Sequence, residues 1–418
     1  MKEDGIIEKH AIDAIPLEER QPWYSIAMIW IGVMICIPAL MIGGALVSGL
    51  PLKEGILAGV AGYTIIILIM TFTGMQGADL GRPAAVISRS AFGVAGSRVI
   101  ISLILAVGTI GWFGVQANVA GLAFSSIMKT WVGADIPVWI SSLVWGLIML
   151  TTAVIGYKAL EYLNYIAVPA LLILSLYGTY VSIQKFGLET LVSHSPPSPF
   201  PFIQGVALTV GSFAVGATIA ADYSRYAKNR RDAVLSSVVG VWPAGVGMLA
   251  MGAIMSVVAG TYDITEVLST LGLSGIALVI LILATWTTNT INAYSGGLAL
   301  ANMFNLPGEK RALATVIAGV IGTVLAVGGI LDHFIDWLSL LTSTIPPLAG
   351  VLIADYWILR SGKPEKWEEY PGVNWIGVVA WIAGSAVGLL LKMGIAPING
   401  IVTAMVVYLV LWKLIKRE

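Results

Sequence analysis

The residues able to do chemistry in this chain are few and lie among apolar neighbours. The densest group is Ala284-Thr-Trp-Thr-Thr-Asn-Thr-Ile-Asn292, a polar knot in a run that is otherwise apolar from about Ile276 to Met303. Hydroxyls and amides at mid-membrane depth are costly unless paired, so Thr287, Thr288, Asn289 and Asn292 either tie helices together or hold a polar guest. A polar guest is the use expected of them. A second group is Gly108-Thr-Ile-Gly-Trp-Phe-Gly-Val-Gln-Ala-Asn118. Trp112 and Gln116 are four residues apart, hence on one helix face, and present an aromatic plane beside an amide. That combination suits a planar, polar heterocycle. Trp112 packing on its neighbours and Gln116 bonding across helices are the alternative uses of the same residues. Thr287 and Thr288 offer oxygen ligands without fixed charge, as an alkali cation needs, although threonines in helices also bond their own backbone carbonyls.

Other chemistries lack their residues. Cys36 is the single cysteine, which excludes an intrachain disulfide and a cysteine metal site. His10, His194 and His333 fall in the tail or in loops. There is no Walker motif and no HExxH pair, so an enzyme is not expected. With zero net charge and no basic run interleaved with aromatics, neither is a nucleic-acid partner.

The elements that must position these groups are membrane helices. The chain is 57% hydrophobic and 11% charged, with a mean hydropathy of +0.89, which places it outside the range of soluble domains. Twelve apolar runs are long enough to span a bilayer, at 24–46, 54–76, 99–127, 137–156, 162–183, 201–222, 235–260, 273–303, 312–329, 337–357, 374–391 and 396–413. The N-terminal tail, residues 1–22, has no apolar signal region. With that tail in the cytoplasm, 19 of the 23 lysines and arginines fall inside, and only Lys53, Lys129, Lys185 and Lys392 fall outside. This asymmetry predicts cytoplasmic termini.

Two spans read as interrupted. The first carries Gly32, Pro38 and the pair Gly43-Gly44; the sixth carries Gly211 and Gly216 around Ser212 and Phe213. Interruptions five spans apart are what an inverted repeat of five plus five helices produces, and unwound helices at matching positions point to a transporter's site. Packing through small residues without any repeat is the alternative. The repeat reading divides the chain into the tail 1–22, a first repeat 23–185, an inverted second repeat 201–357, and two extra helices over 374–413.

Four ordered motifs carry a resemblance. Gly111-Trp-Phe-Gly114, Val210-Gly-Ser-Phe213 followed by Ala221-Asp-Tyr-Ser-Arg-Tyr226, Trp286-Thr-Thr-Asn289, and Ile345-Pro-Pro-Leu-Ala-Gly-Val-Leu-Ile-Ala-Asp-Tyr356 resemble the nucleobase:cation symporter-1 family, in particular its bacterial cytosine permeases. The resemblance runs from Gly32 to Trp375. It implies an all-α membrane protein with the inverted-repeat fold of amino-acid:sodium symporters, and sodium-coupled uptake of a nucleobase or related ring at the cell membrane. It implies a substrate site with Trp112 on one ring face, Phe213 on the other, and Ser212, Gln116 and Asn289 beside them. It further implies a sodium site of helix 1 carbonyls, Gly32 and Ile35, with Ala284, Thr287 and Thr288 of helix 8. A bent first helix frees carbonyls three apart, as those two are. The chain departs from the cytosine permeases at Thr109 and Ala284, where they carry glutamine and asparagine. The ring's polar edge is therefore expected to be read by a different set, Gln116 and Asn292.

Asp222 and Asp355, each followed by tyrosine, stand at the cytoplasmic boundary and are expected to be interfacial, with Asp222 facing Arg225. A proton relay through them is the alternative coupling. A channel would expose rings of like groups from several subunits rather than an aromatic clamp.

Overall fold

Proline and glycine set the boundaries of the apolar helices. The computed structural model describes residues 13–155, 158–273, 275–307 and 310–415. The parts of the N-terminal tail and of the basic-residue count that fall on residues 1–12 and 416–418 lie outside them. Among the described residues the chain is helical without a strand, its one isolated bridge joining Gln21 to Ala227.

The first apolar run forms two helices, α1 (Trp23–Met34) and α2 (Ile37–Val47), bent by 58° at Ile35-Cys36. The cause is local. Pro38 has no N–H, so the Met34 carbonyl loses its normal helical donor, and the Cys36 amide bonds Met34 instead of Gly32. Helix α3 (Leu52–Leu80) ends at Gly81, whose φ of 64° is left-handed, where a side chain would be strained. Beyond it come α4 (Val94–Ile127), α5 (Val138–Ile155) and α6 (Lys158–Phe186).

The sixth apolar run is again broken. Helix α7 (Phe202–Ser212) stops at Phe213, whose φ of −126° and ψ of 18° are non-helical, and the short α8 (Ala214–Thr218) continues. Each piece is held from outside. The Thr342 hydroxyl donates to the Ala207 carbonyl of α7, and the Thr73 hydroxyl of α3 donates to the Ala217 carbonyl of α8, both at 2.8 Å.

Helix α9 (Arg230–Ala259) starts at Asn229, whose side chain caps the Asp232 amide. It leads through α10 (Ile264–Thr270) to α11 (Ile276–Met303) and α12 (Arg311–Val327). Helices α13 (Phe334–Thr344) and α14 (Pro346–Ile353) run into a wide π-helical turn at Ala354–Leu359, before α15 (Trp375–Leu390) and α16 (Ala396–Ile415). Among the described residues, seven helical stretches are long and apolar enough to cross a membrane, α1 with α2 forms a broken eighth, and four shorter apolar helices accompany them.

Packing sorts the helices into two groups. α1, α2, α3, α7 and α9 pack together, and α4, α5, α11 and α12 form a second set in which α4 lies along α11. α6 touches both α9 and α11, across the seam, and α15 and α16 pack as a pair on α13 and α14. The crossing of α2 and α9 relies on glycine at both faces: a Cβ on Gly43 would lie 2.0 Å from the Leu249 carbonyl oxygen, and one on Gly252 would lie 2.1 Å from that of Leu40. Without a hydrophobic driving force between helices in lipid, such close backbone contact is a main source of association.

Near the charged end of the molecule the wide turn places two consecutive buried residues on different partners. Asp355 accepts from the Tyr408 hydroxyl at 2.9 Å, from Ser90 at 2.5 Å and from the Arg360 Nε at 3.1 Å. Tyr356 donates at 2.6 Å to Asp79, which also receives the Arg230 guanidinium at 2.7 Å. Asp222 is turned away from Arg225: its carboxylate accepts the Ala84 amide at 2.7 Å, while the Arg225 Nε reaches the Asp222 backbone carbonyl at 3.2 Å.

Candidate substrate and ion site

Helix α4 supplies one wall of the site. Gln116 is only 2% exposed, and its Oε1 has no hydrogen-bond partner. Trp112, one turn earlier, meets Phe334 edge to face at a centroid distance of 5.9 Å, and Phe334 in turn meets Tyr262 at 5.5 Å. Phe213, at the break between α7 and α8, meets Trp30 of α1 at 5.9 Å; Trp30 lies 4.4 Å from Tyr223. The two rings expected to clamp a substrate thus rest on different aromatics. They share one apolar cluster with Ile35, Cys36 and Ala284. Phe213 folds back over its own helix, so that a Cβ on Gly216 would lie 2.5 Å from its ring.

The breaks in the first and sixth runs pack into one apolar cluster, in which Ile35, Cys36 and Phe213 lie with Tyr63 of α3, a side chain almost fully buried. Ser212 donates to the Thr209 carbonyl at 2.7 Å.

The polar knot on α11 divides its work. Asn289, fully buried, donates from Nδ2 to the Phe113 carbonyl of α4 at 3.0 Å and accepts the Asn292 amide at 3.2 Å. Asn289 therefore ties α11 to α4 directly beside Trp112. Thr287 and Thr288 both turn their hydroxyls onto the Ala284 carbonyl, at 3.1 and 3.0 Å, which gathers three oxygens at one point. Opposite in kind are the carbonyls at the α1 break. Gly32 has lost its usual donor, Ile35 has non-helical φ and ψ of −79° and 78°, and a side chain on Gly32 would meet nothing within 4 Å. These are hard, neutral oxygens of the kind a monovalent cation takes.

At the end of the bundle formed by the loops near Gly133, Gly260 and Gly329 lies a cavity of about 630 Å³ lined by Asn118, Trp139, Tyr262, Asp263 and Leu331 among others. Tyr262 lines it and donates its hydroxyl to the Leu331 carbonyl at 3.1 Å. Burial, together with Asp332, Asp263 and Asp336, pushes this phenol up from its ordinary pKa. It therefore remains a hydrogen-bond donor at neutral pH. The stack Tyr262, Phe334, Trp112 runs from the cavity lining to α4, whose Asn118 and Leu122 also line the cavity.

Several residues here were not among those singled out from sequence. Trp30, Tyr63, Phe334 and Trp337 belong to no polar motif, and only their tertiary neighbours mark them. Trp337 of α13 lies against Gly111, where a Cβ would come within 2.1 Å of its ring, and its buried Nε1 has no partner.

Comparison with known proteins gives a consistent answer. Residues 14–412 match the family described as permease for cytosine/purines, uracil, thiamine, allantoin. The chain is 33% identical over 411 residues to the cytosine permease of Escherichia coli K12, covering 97% of this chain and 94% of the relative. It is 26% identical to the hydantoin permease of Microbacterium maritypicum, covering 92% and 84%. Its fold is similar to the inward facing conformation of Mhp1, with a TM-score of 0.86 at 23% identity over 100% of this chain and 96% of that one. Its relatives are permeases and not enzymes, and the chain belongs to the nucleobase:cation symporter-1 family of multi-pass membrane transporters.

Proposed function

We propose that this protein is a secondary active transporter that takes up a nucleobase or related planar heterocycle together with sodium, by alternating access. The observation that carries the reading is that two interrupted runs, broken at Ile35-Cys36 and at Phe213, share one apolar cluster with Trp112, one helical turn from a buried glutamine whose acceptor is unpaired. An unpaired buried acceptor costs about 1 to 3 kcal/mol. A bound ring with an N–H or amino group recovers that loss.

The substrate lies between Trp112 and Phe213, with Gln116, Asn292 and Ser212 toward its polar edge and Asn289 fixing the wall behind it. Sodium takes the carbonyls of Gly32, Ile35 and Ala284 and the hydroxyls of Thr287 and Thr288, which rotate off Ala284 when the ion arrives. One sodium ion moving down a tenfold gradient and ~100 mV releases about 3.7 kcal/mol, enough for roughly 500-fold accumulation of a neutral ring.

Twelve spans in a five-plus-five inverted repeat, with the last two additional, are supported by the packing groups. Spans 1, 2, 6 and 7 form one set and spans 3, 4, 8 and 9 the other, and in each set adding five to the first two spans gives the last two. The termini face the cytoplasm and the protein resides in the plasma membrane. The test is thermal unfolding in detergent with cytosine, uracil, hydantoin and purine rings, each with and without sodium. A ring that raises the transition more in sodium than in potassium is expected, as is loss of that shift in Trp112→Ala. Absence of any ring-dependent shift, or one indifferent to Trp112, overturns the reading.

A further inference from the structure

We propose that Trp337 is a specificity-determining residue: its indole N–H donates to an acceptor on the substrate edge opposite the one facing Gln116. The inference rests on the substrate site proposed above and extends it to α13. Three observations converge on this residue. First, its Nε1 is buried without a hydrogen-bond partner, a state that buried indoles seldom occupy. Second, its ring covers Gly111. An alanine there would put its Cβ 2.1 Å from Cζ2, 2.4 Å from Cη2 and 2.7 Å from Cε2, so glycine is what lets the six-membered ring edge next to the nitrogen reach the α4 backbone. Third, Trp112 and Trp337 both line the boundary between the same two apolar clusters.

The helical wheel of α4 orders these groups. At about 100° per residue, Gly111 lies about 100° to one side of Trp112 and Gln116 about 40° to the other. Val215, just beyond the Phe213 break, abuts Gly108 on the Gly111 side. A ring stacked on Trp112 is thus flanked by a free donor on the Trp337 side and a free acceptor on the Gln116 side. Donor and acceptor on opposite flanks select rings that carry a carbonyl or pyridine-type nitrogen at one edge and an N–H or amino group at the other. Trp30 and Trp145 also hold unpaired N–H groups, but of the three only the Trp337 ring covers the α4 backbone next to Trp112. Trp145 sits against Phe124 and Trp286, and Trp30 against Phe213 and Tyr223 from the α1 side.

The test uses Trp337→Phe, which keeps an aromatic plane on Gly111 and deletes the donor. Affinity of the full-length protein is measured by ligand quenching of tryptophan fluorescence for each ring that binds, and for analogues lacking one acceptor at a time, such as 3-deazacytosine against cytosine. Wild type is expected to prefer the parent ring over one such analogue by about 5- to 150-fold. In Trp337→Phe that gap closes, while in Gln116→Met a different gap, toward an analogue lacking a donor, closes instead. Unchanged affinity and ranking in Trp337→Phe overturns the proposal, and so does equal weakening for every ring. If Trp112→Ala abolishes binding while Trp337→Phe leaves the ranking intact, this inference alone fails. If no ring binds wild type, or Trp112→Ala binds normally, the site it rests on fails with it.

Discussion

Replacing Gln116 by methionine should move stability and binding in opposite directions. Gln116 is 2% exposed with an unpaired Oε1, so the ring-free fold bears the cost of a desolvated acceptor, about 1 to 3 kcal/mol. Methionine fills a similar volume without an amide. The ring-free variant is therefore expected to be more stable, by up to that amount. The same change removes the group that meets the ring's donor, weakening binding about 5- to 150-fold. Both effects appear in one thermal-unfolding experiment. At a ring concentration 100 times the wild-type Kd, the ligand stabilises wild type by about 2.7 kcal/mol, whereas a variant weakened 50-fold gains only about 0.6 kcal/mol. The ring-free transition should thus rise while the ring-induced shift shrinks. A ring-free transition that falls, together with an undiminished ligand shift, would show that Gln116 is a packing bridge and would refute the reasoning.

Asn289→Ala should lower ring-free stability by about 1 to 3 kcal/mol, because the Phe113 carbonyl loses its donor and the Asn292 amide its acceptor; undiminished stability with lost binding would make Asn289 a direct ligand instead. Thr288→Ala should abolish sodium-stimulated binding and concentrative uptake together, measured in proteoliposomes, and a variant that keeps full sodium dependence sinks this ion site. Cys36 is the single thiol of the chain and sits partly exposed at the α1 break. Its modification by a small thiol reagent, followed by mass shift, should slow when the ring is bound. Labelling indifferent to the ring would remove the break from the cavity wall.

The sequence made the interruptions legible because proline and glycine leave few other options, yet it blurred where they fall. In the first run the bend comes at Ile35-Cys36, where Pro38 withholds its N–H; Gly43 is used for contact with α9 instead. Helical spacing alone puts Trp112 and Gln116 on one face of α4. It does not identify the aromatic that meets Trp112, because Phe334 and Trp337 lie more than 200 positions away in sequence and carry no periodic signal tying them to α4. Thr287 and Thr288 had two possible uses by residue type. In the structure their hydroxyls rest on the Ala284 carbonyl, a choice of rotamer that no spacing rule specifies.

The wide turn at Ala354–Leu359 fixes the length of the chain there as firmly as its chemistry. A π-helical turn accommodates one residue more than an α-turn. Through it Asp355 faces Tyr408 and Ser90 while its neighbour Tyr356 faces Asp79. A substitution at either position removes the bonds of one side chain. Deleting any single residue of the turn would instead close it to an ordinary α-turn and rotate the chain beyond it by about 100°. Arg360 would be carried off Asp355, and α15 and α16 would be left out of register with α14. Single-residue deletions in 354–359 should therefore be far less tolerated than substitutions there, and length variants of this chain should fall in the loop between Ser361 and Val373.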